Sequence, residues 1–573
     1  MRVKKSVSKN TINYSIIKDV TVGNKRSTTT VENLGNHETL LKKYPGIEPI
    51  EWATQRAEEL NRLEKEGNED IFIKLSQTRK LDMHKNTEFH GGYLFLQNLY
   101  YNLGLNKISK EIEQKHKFTF SLDDILSRLI YGRILSPSSK RSTIEFSKKL
   151  LEYKDIELHH FYRALEIISQ ESDFIQEQLY KNSQKFVSRN TDVLYYDCTN
   201  FYFEIEEDDE FRKYGVSKEN RPNPIVEMGL FMDADGIPLA FSLHSGATNE
   251  QTTLKPLERK IVKDFKASEF IVCTDAGLSS RANKLYNSMS GRGYVTTQSI
   301  KKLPKEFKQW ALARDSWRIV GGNPNRFYNI SEIEDKEEYK DKIFYKECPF
   351  TEENLPFQNL IVTYSIEYRN YHRKIRERHI DRAMKLIKTP SKLNSKRTTD
   401  YKRLVKVTSI TVDGEIAEKK HISLDEEKIF QESLYDGIYG VSTNLDEPIE
   451  KIIEINKRRW QIEECFKIMK SEFKSRPVYL SREDRIKAHF MTCFLSLTLF
   501  RFLEQKLGTH VSYVELIKTL RNYKFKRFYG LGYTPTYIRT EITDLLHTAF
   551  GFNTDFEIIS EKNFKKIFKE TKK

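Results

Sequence analysis

Residues 193–205 read VLYYDCTNFYFEI, a strand run rich in aromatic and β-branched residues with one acid inside it, Asp197. Residues 269–280, EFIVCTDAGLSS, end a second strand, and Asp275 follows it directly. Residues 456–470, NKRRWQIEECFKIMK, have helical spacing and carry Glu463. An Asp in a strand, an Asp just past a strand and a Glu on a helix suggest one divalent-metal site of the polynucleotidyl-transfer kind. Mg²⁺ takes oxygen ligands, and few of them from protein. A metal pair about 3.5–4 Å apart can clamp the attacking and leaving oxygens of an in-line phosphoryl displacement.

Outward from Asp197, residues 224–233 and 237–244 predict two more strands, joined by the tight turn Asp233-Ala234-Asp235-Gly236. We read Asp233 and Asp235 as turn residues, and Cys198 as a small buried neighbour of Asp197. A helix is expected near 249–267, with Thr248 and Gln251 as a capping box. Pro256 suggests that its regular part begins only there. Strand 269–274 completes the order strand, strand, strand, helix, strand.

On a wheel of about 100° per residue with Glu463 at zero, Arg459 falls at roughly −40° and Lys470 at roughly −20°. Ile462, Phe466, Met469 and Phe473 lie between about −60° and −120°, an apolar stripe beside that face. The helix therefore carries a cation, an acid and a cation along the rim of a buried surface. Alone, this would read as a surface i,i+4 pair. With the two aspartates it reads as a site whose cations hold phosphate oxygens. Trp460 falls off the stripe at about +60°, where core packing is the expected use.

Elsewhere, residues 12–35 alternate around the turn GNKR and predict a hairpin. Residues 50–66 predict a charged helix, 67–90 a loose linker and 92–187 a run of helices, with Ser121 as an N-cap. Several helices in a basic protein invite a helix-turn-helix reading beside that of a plain bundle. His159 and His160 read as structural. From 290 to 435 the pattern gives strands and charged connectors. Residues 369–406 hold 14 Lys/Arg against 3 Asp/Glu, which favours a phosphate-tracking surface. A strand follows at 436–444 and a buried helix at 487–505.

With 573 residues the chain should hold several domains. Its net charge of +14 favours a polyanionic partner, chiefly nucleic acid or an anionic membrane. Five scattered cysteines without a CxxC pair support neither a disulfide framework nor a thiolate zinc site, and fit a reducing cytoplasm. The first residues lack the apolar segment of a signal peptide. The most apolar run, 490–500, is shorter than the ~20 residues of a membrane span, so no membrane is expected. No GxxxxGK[ST] motif is present, so no nucleotide is expected.

These residues resemble the DDE transposases of bacterial insertion sequences, in the branch with the signature Y-x2-R-x3-E-x6-K. Arg459-x3-Glu463-x6-Lys470 matches that spacing, and RRWQIEECFKIMK looks like the family's helix. DVLYYDCTNFYFE and RPNPIVEMGLFMDADGIPLAFSLHSGATNE look like its first strands, and CTDAGLSS like its second acidic motif. One position departs: the signature's Tyr is Asn456 here. An Asn can donate a hydrogen bond to phosphate but cannot stack.

The resemblance implies an α/β fold, an RNase H-like core of mixed sheet flanked by helices. A mostly β insertion interrupts the core, and a helical DNA-binding region precedes it. The expected boundaries are 1–90 for hairpin and linker, 91–190 for the DNA-binding helices, 191–290 and 436–507 for the two core parts, 291–435 for the basic insertion and 508–573 for a C-terminal region. It implies two Mg²⁺ ions, replaceable by Mn²⁺, held by the catalytic residues Asp197, Asp275 and Glu463, with Asn456, Arg459 and Lys470 on DNA phosphates. The implied activity is DNA cleavage at element ends and strand transfer into target DNA. The implied partners are double-stranded DNA, as terminal inverted repeats and target, and a second copy in a synaptic homodimer. The implied setting is the bacterial cytoplasm. An RNase H-like nuclease or resolvase, or a catalytically idle transposase-derived regulator, stand as alternatives.

Overall fold

The computed structural model describes the chain except residues 9–10, 23–24, 67–72, 74–76, 79, 81, 334–335, 352–354, 356, 390–399, 411–415 and 509–510. It divides into two units, Met1–Ala164 with Phe502–Lys573, and Leu165–Arg501. This division differs from the six expected segments: the C-terminal residues share a unit with the N-terminal ones.

In the first unit, β1 (Arg2–Ser8), β2 (Thr11–Val22) and β3 (Lys25–Asn36) form an antiparallel sheet. The expected hairpin is β2–β3; Gly23 and Asn24 of its turn lie outside the described residues. Alternation puts Tyr14 and Ile16 on one face. There they pack on Leu40 and on Ala53, Ala57 and Leu60 of the helix Pro49–Glu66. The stretch expected as linker ends in a strand, β4 (Glu88–His90). Helices follow from Tyr93–Asn102 to Lys140–Ser147, and Ser121 caps one of them by accepting from the Asp124 N–H at 3.2 Å.

The second unit is built on one mixed sheet. Its strands are β5 (Val193–Tyr202), β6 (Ile225–Met232), β7 (Pro238–Ser245), β8 (Ile271–Thr274), β9 (Gly293–Thr297), β10 (Arg318–Ile319), β11 (Ile343–Phe350), β12 (Gln358–Ser365) and β15 (Ile438–Thr443). Between β12 and β15, β13 (Val405–Ile410) and β14 (Ile416–Leu424) make a separate two-stranded ladder. The nine strands of the large sheet run β10-β11-β12-β15-β9-β8-β5-β6-β7. β6 pairs antiparallel with both β5 and β7, while β8 and β9 continue parallel to β5.

Leu194, Tyr196 and Cys198 point to one face of β5. They form a core with Phe231, Leu239 and the residues Leu254, Leu257 and Ile261. Each such buried side chain contributes roughly 1.5–3 kcal/mol. The helix that supplies the last three, Glu250–Asp264, starts before Pro256 instead of at it. Asn249, not Thr248, is its cap and accepts from the Gln251 N–H. Pro256 is tolerated because the carbonyl it leaves unbonded belongs to Thr252, which is exposed to water.

The expected β insertion at 291–435 is corrected in two ways. β9 to β12 extend the core sheet instead of forming a body of their own. The first half of the basic run, to Ile387, lies on a 22-residue helix, Ile366–Ile387, capped by Ser365. The expected span-free helix is also longer than anticipated. Glu483–Leu507 is long and apolar enough to cross a membrane, but 89% of its apolar stretch is buried in the protein, as in a core helix.

Returning to the first unit, β16 (Lys524–Phe528), β17 (Gly532–Pro535) and β18 (Ile559–Ser560) join β4 in the order β18-β17-β16-β4. Gly92 permits this: a Cβ there would sit 2.1 Å from the Leu520 carbonyl oxygen.

Candidate active site

The β5–β8 ladder sets the two aspartates. Val193 faces Ile271, Leu194 faces Val272 and Tyr195 faces Cys273. Two residues further along each chain stand Asp197 and Asp275. Period-two alternation puts Asp197 on the same face as Tyr195, opposite the Leu194–Tyr196–Cys198 core. Asp275 is held where β8 ends. One of its carboxylate oxygens accepts from the Leu278 N–H at 3.1 Å, and its carbonyl accepts from Thr296 Oγ1 at 3.2 Å.

The Glu463 segment covers that face. Cys465 Sγ lies 3.8 Å from Met232 Sδ, and Cys273 Sγ lies 4.0 Å from the Ile455 carbonyl. The single expected helix is divided into Ile449–Arg458, Trp460–Lys467 and a π-helical turn, Ile468–Glu472. Wider turns of this kind recur at functional sites. Here the turn carries Lys470. Its Nζ donates to Thr199 Oγ1 at 2.6 Å and stands over the Phe201 ring. Thr199 and Phe201 are on the Asp197 face of β5.

Arg459 joins the three acids. It pairs with Glu463 at 3.0 Å. Burial pulls its guanidinium down, but Tyr439, Glu463, Asp197 and Asp275 together hold its pKa above the ordinary value. Burial pushes the Asp197 carboxyl up to about 7; Lys218 opposes this and Asp275 adds to it. Burial also brings Lys470 down to about 8, with Lys218 adding to the effect.

The expected residues are thus assembled, though not into a closed coordination sphere. Among the described residues, the group of three His, Cys, Asp or Glu whose ligand atoms all lie within 4.8 Å of one another is Asp544, His547 and Asp555. Glu463 is 55% exposed on its side chain and turned to Arg459. The donor set still fits a hard divalent cation. It offers three carboxylates and no sulfur, and oxygen ligands are what such an ion takes. Asn456 sits on the preceding helix, and its amide Oδ1 is buried without a hydrogen bond.

Sequence reading missed three neighbours. Lys218 donates to the Cys198 carbonyl and pairs with Glu250 at 2.9 Å. Glu227 is buried, and burial followed by Glu250 pushes its carboxyl up to about 7. Tyr439 borders Arg459 and lies 2.5 Å from Thr297 Oγ1. A charged residue within the apolar run of β6 was the available signal for Glu227. Trp460 is 53% exposed, so the core role expected for it does not hold. Asp233 and Asp235 do serve the turn: Asp233 pairs with Arg189 at 2.6 Å and Asp235 accepts from the Asn190 N–H.

Comparison with known proteins gives a partial match. The family described as "Transposase DDE domain" matches residues 364–499, which include Asn456, Arg459, Glu463 and Lys470 but neither aspartate. No curated protein matches. Among solved structures, a piggyBac transposase synaptic complex with hairpin DNA is 9% identical, with 83% of this chain and 88% of that chain covered at a TM-score of 0.36. A Mos1 transposase paired-end complex with left transposon end is 12% identical, with 44% and 70% covered at a TM-score of 0.13. Likenesses this weak do not by themselves assign a fold. The function that the family match supports is that of a DNA transposase.

Proposed function

We propose that this chain is an insertion-sequence transposase of the Y-R-E-K branch, working in the bacterial cytoplasm. It cuts element ends and joins them to target DNA by cut-and-paste chemistry. The order β7-β6-β5-β8-β9, three antiparallel strands continued by two parallel ones, supports an RNase H-like core. The observation that carries the reading is the β5–β8 register, which lines up Asp197 with Asp275 beneath the helix of Glu463.

Asp197, Asp275 and Glu463 would hold two Mg²⁺ ions, with Mn²⁺ as a substitute. Bound there, the ions would supply charge neutralisation at the scissile phosphate and acidify the attacking hydroxyl. Arg459 grips phosphate oxygens through its planar fork, a charge-assisted and geometrically selective contact. Lys470, fixed by Thr199, holds the strand further along β5. Asn456 contributes its amide to the same backbone. The cations of Ile366–Ile387 neutralise flanking phosphates without reading sequence. Element ends and target are double-stranded DNA, and two copies pair the ends.

Ala variants at Asp197, Asp275 and Glu463 test this in an end-cleavage assay with Mg²⁺, beside a gel shift on the same DNA. Cleavage should vanish in each while binding persists. Wild-type cleavage in any one of them would sink the assignment. Loss of binding together with cleavage would instead indicate a collapsed fold.

A further inference from the structure

The first unit holds a second group of ligand-type side chains, unrelated to the site above. Asp544 and His547 are three residues apart on the helix Glu541–Phe550 and so share a face. Gly551, at φ +71°, ends that helix in the left-handed conformation and turns the chain back to bring in Asp555. One carboxylate oxygen of each Asp and one ring nitrogen of His547 lie within 4.8 Å of one another.

The inner atoms of this group face each other. His547 Nδ1 and Asp555 Oδ2 are 2.9 Å apart, on side chains only 6% and 5% exposed. Neither atom makes a hydrogen bond. The outer atoms are fixed. His547 Nε2 lies 2.5 Å from the Tyr523 hydroxyl and 3.2 Å from Thr554 Oγ1. Asp555 Oδ1 accepts from the Tyr537 hydroxyl at 2.6 Å. The Tyr523 and Thr554 hydroxyls can each accept a proton from Nε2, and the tautomer they then hold turns an Nδ1 lone pair towards the carboxylate. In that tautomer a cation between the two atoms would satisfy both. The nearest cation, Arg539, is at the mouth. It binds Asp544 at 2.8 Å, reaches Asp555 only at 3.6 Å, and is 69% exposed.

We propose that Asp544, His547 and Asp555 bind one divalent transition-metal ion of the Zn²⁺ class, separately from any ion used in DNA cleavage. One imidazole and two carboxylates form a mixed nitrogen–oxygen set suited to zinc and poorly suited to Mg²⁺. Donors 2.9 Å apart can both reach an ion at about 2.0–2.2 Å. The contacts on Nε2 and Oδ1 are the supporting bonds that orient ligands at such centres. The ion would tie the helix Glu541–Phe550 to the segment that returns at Asp555, and Arg539 would swing to solvent as it enters.

The test uses the full chain carrying Asp197→Asn and Asp275→Asn, which removes the proposed cleavage ligands. After chelation and dialysis, Zn²⁺ is titrated and read as bound zinc per chain and as the thermal unfolding midpoint. One zinc per chain is expected, with a midpoint that rises with zinc and is unmoved by Mg²⁺. Adding Asp555→Asn should remove the bound zinc. Adding Arg539→Gln, an exposed change that keeps the fold, should tighten binding several-fold by removing the competing cation. A folded parent that retains no zinc and shows no shift would overturn the proposal. So would an Asp555→Asn protein, folded by circular dichroism, that binds zinc like its parent.

Discussion

The strand-borne and helix-borne halves of the candidate site differ in how firmly the fold fixes them. Asp197 lies mid-strand, paired with Leu230 of β6 and two residues past the last pairing with β8, and burial raises the pKa of its carboxyl. Glu463 stands on a helix surface, more than half exposed, held by one ion pair. Backbone register fixes Asp197, because a slip of one would turn it to the opposite face, and the end of β8 with the Leu278 N–H fixes Asp275. A helix side chain with three rotatable bonds can be drawn in or released. The fold thus supplies one rigid half and one adjustable half.

Changes of side-chain length give the largest contrast. Asp197→Asn and Asp275→Asn should each slow end cleavage by at least about 10³-fold, the upper scale for losing one preorganised electrostatic group. Asp197→Glu should be equally silent, since the added methylene displaces the carboxylate from the position that the strand sets. Glu463→Asp should cost only about 10²-fold, the scale of an ångström-sized misplacement. Equal losses in Asp197→Glu and Glu463→Asp would erase the distinction between the halves.

The cations come next. Arg459→Ala with Lys470→Ala should slow cleavage while leaving Mn²⁺ affinity nearly unchanged, because the role proposed for them is to hold DNA and not metal. Normal cleavage and strand transfer in the double variant would reduce the pair to a surface salt-bridge face.

A smaller effect is expected with pH. Lys470 is brought down to about 8, so in the free protein its ammonium is present below that pH and lost above it. DNA affinity should therefore fall as pH rises past 8, and its salt dependence should flatten by about one phosphate contact. Lys470→Arg stays charged and should abolish that pH effect. The smallest effect belongs to Thr199→Val. It removes one hydrogen bond to Lys470, worth about 0.5–1.5 kcal/mol, so cleavage should slow a few-fold.

The rigid half was legible in the sequence because strand runs with a single acid are distinctive and local. Asp197, Asp275, Glu463, Arg459 and Lys470 were all named from spacing and resemblance. The wheel placed Lys470 on the right face, but not the π-helical turn that delivers it to Thr199, since no residue pattern marks such a turn. The helix Ile366–Ile387 was read as connector because its buried residues cluster at the two ends, Ile366 and Arg369, then Ala383 and Leu386. Between them the inward face is mostly polar, with His372, Arg376 and His379 half-buried, so no apolar stripe marks it. Lys218 and Tyr439 reach the site by tertiary packing from segments without a signature. The Asp544–His547–Asp555 group was invisible for a related reason: its third member returns only because Gly551 turns the chain.

The central claim is that Asp197, Asp275 and Glu463 serve one metal site. Replacing the metal with Fe²⁺ in the presence of ascorbate and peroxide generates hydroxyl radicals that cut the backbone beside bound iron. The account predicts cuts near residues 197, 275 and 463 together, all lost in Asp197→Asn. Cuts at one or two of these segments only, or cuts at all three that persist in Asp197→Asn, would contradict it.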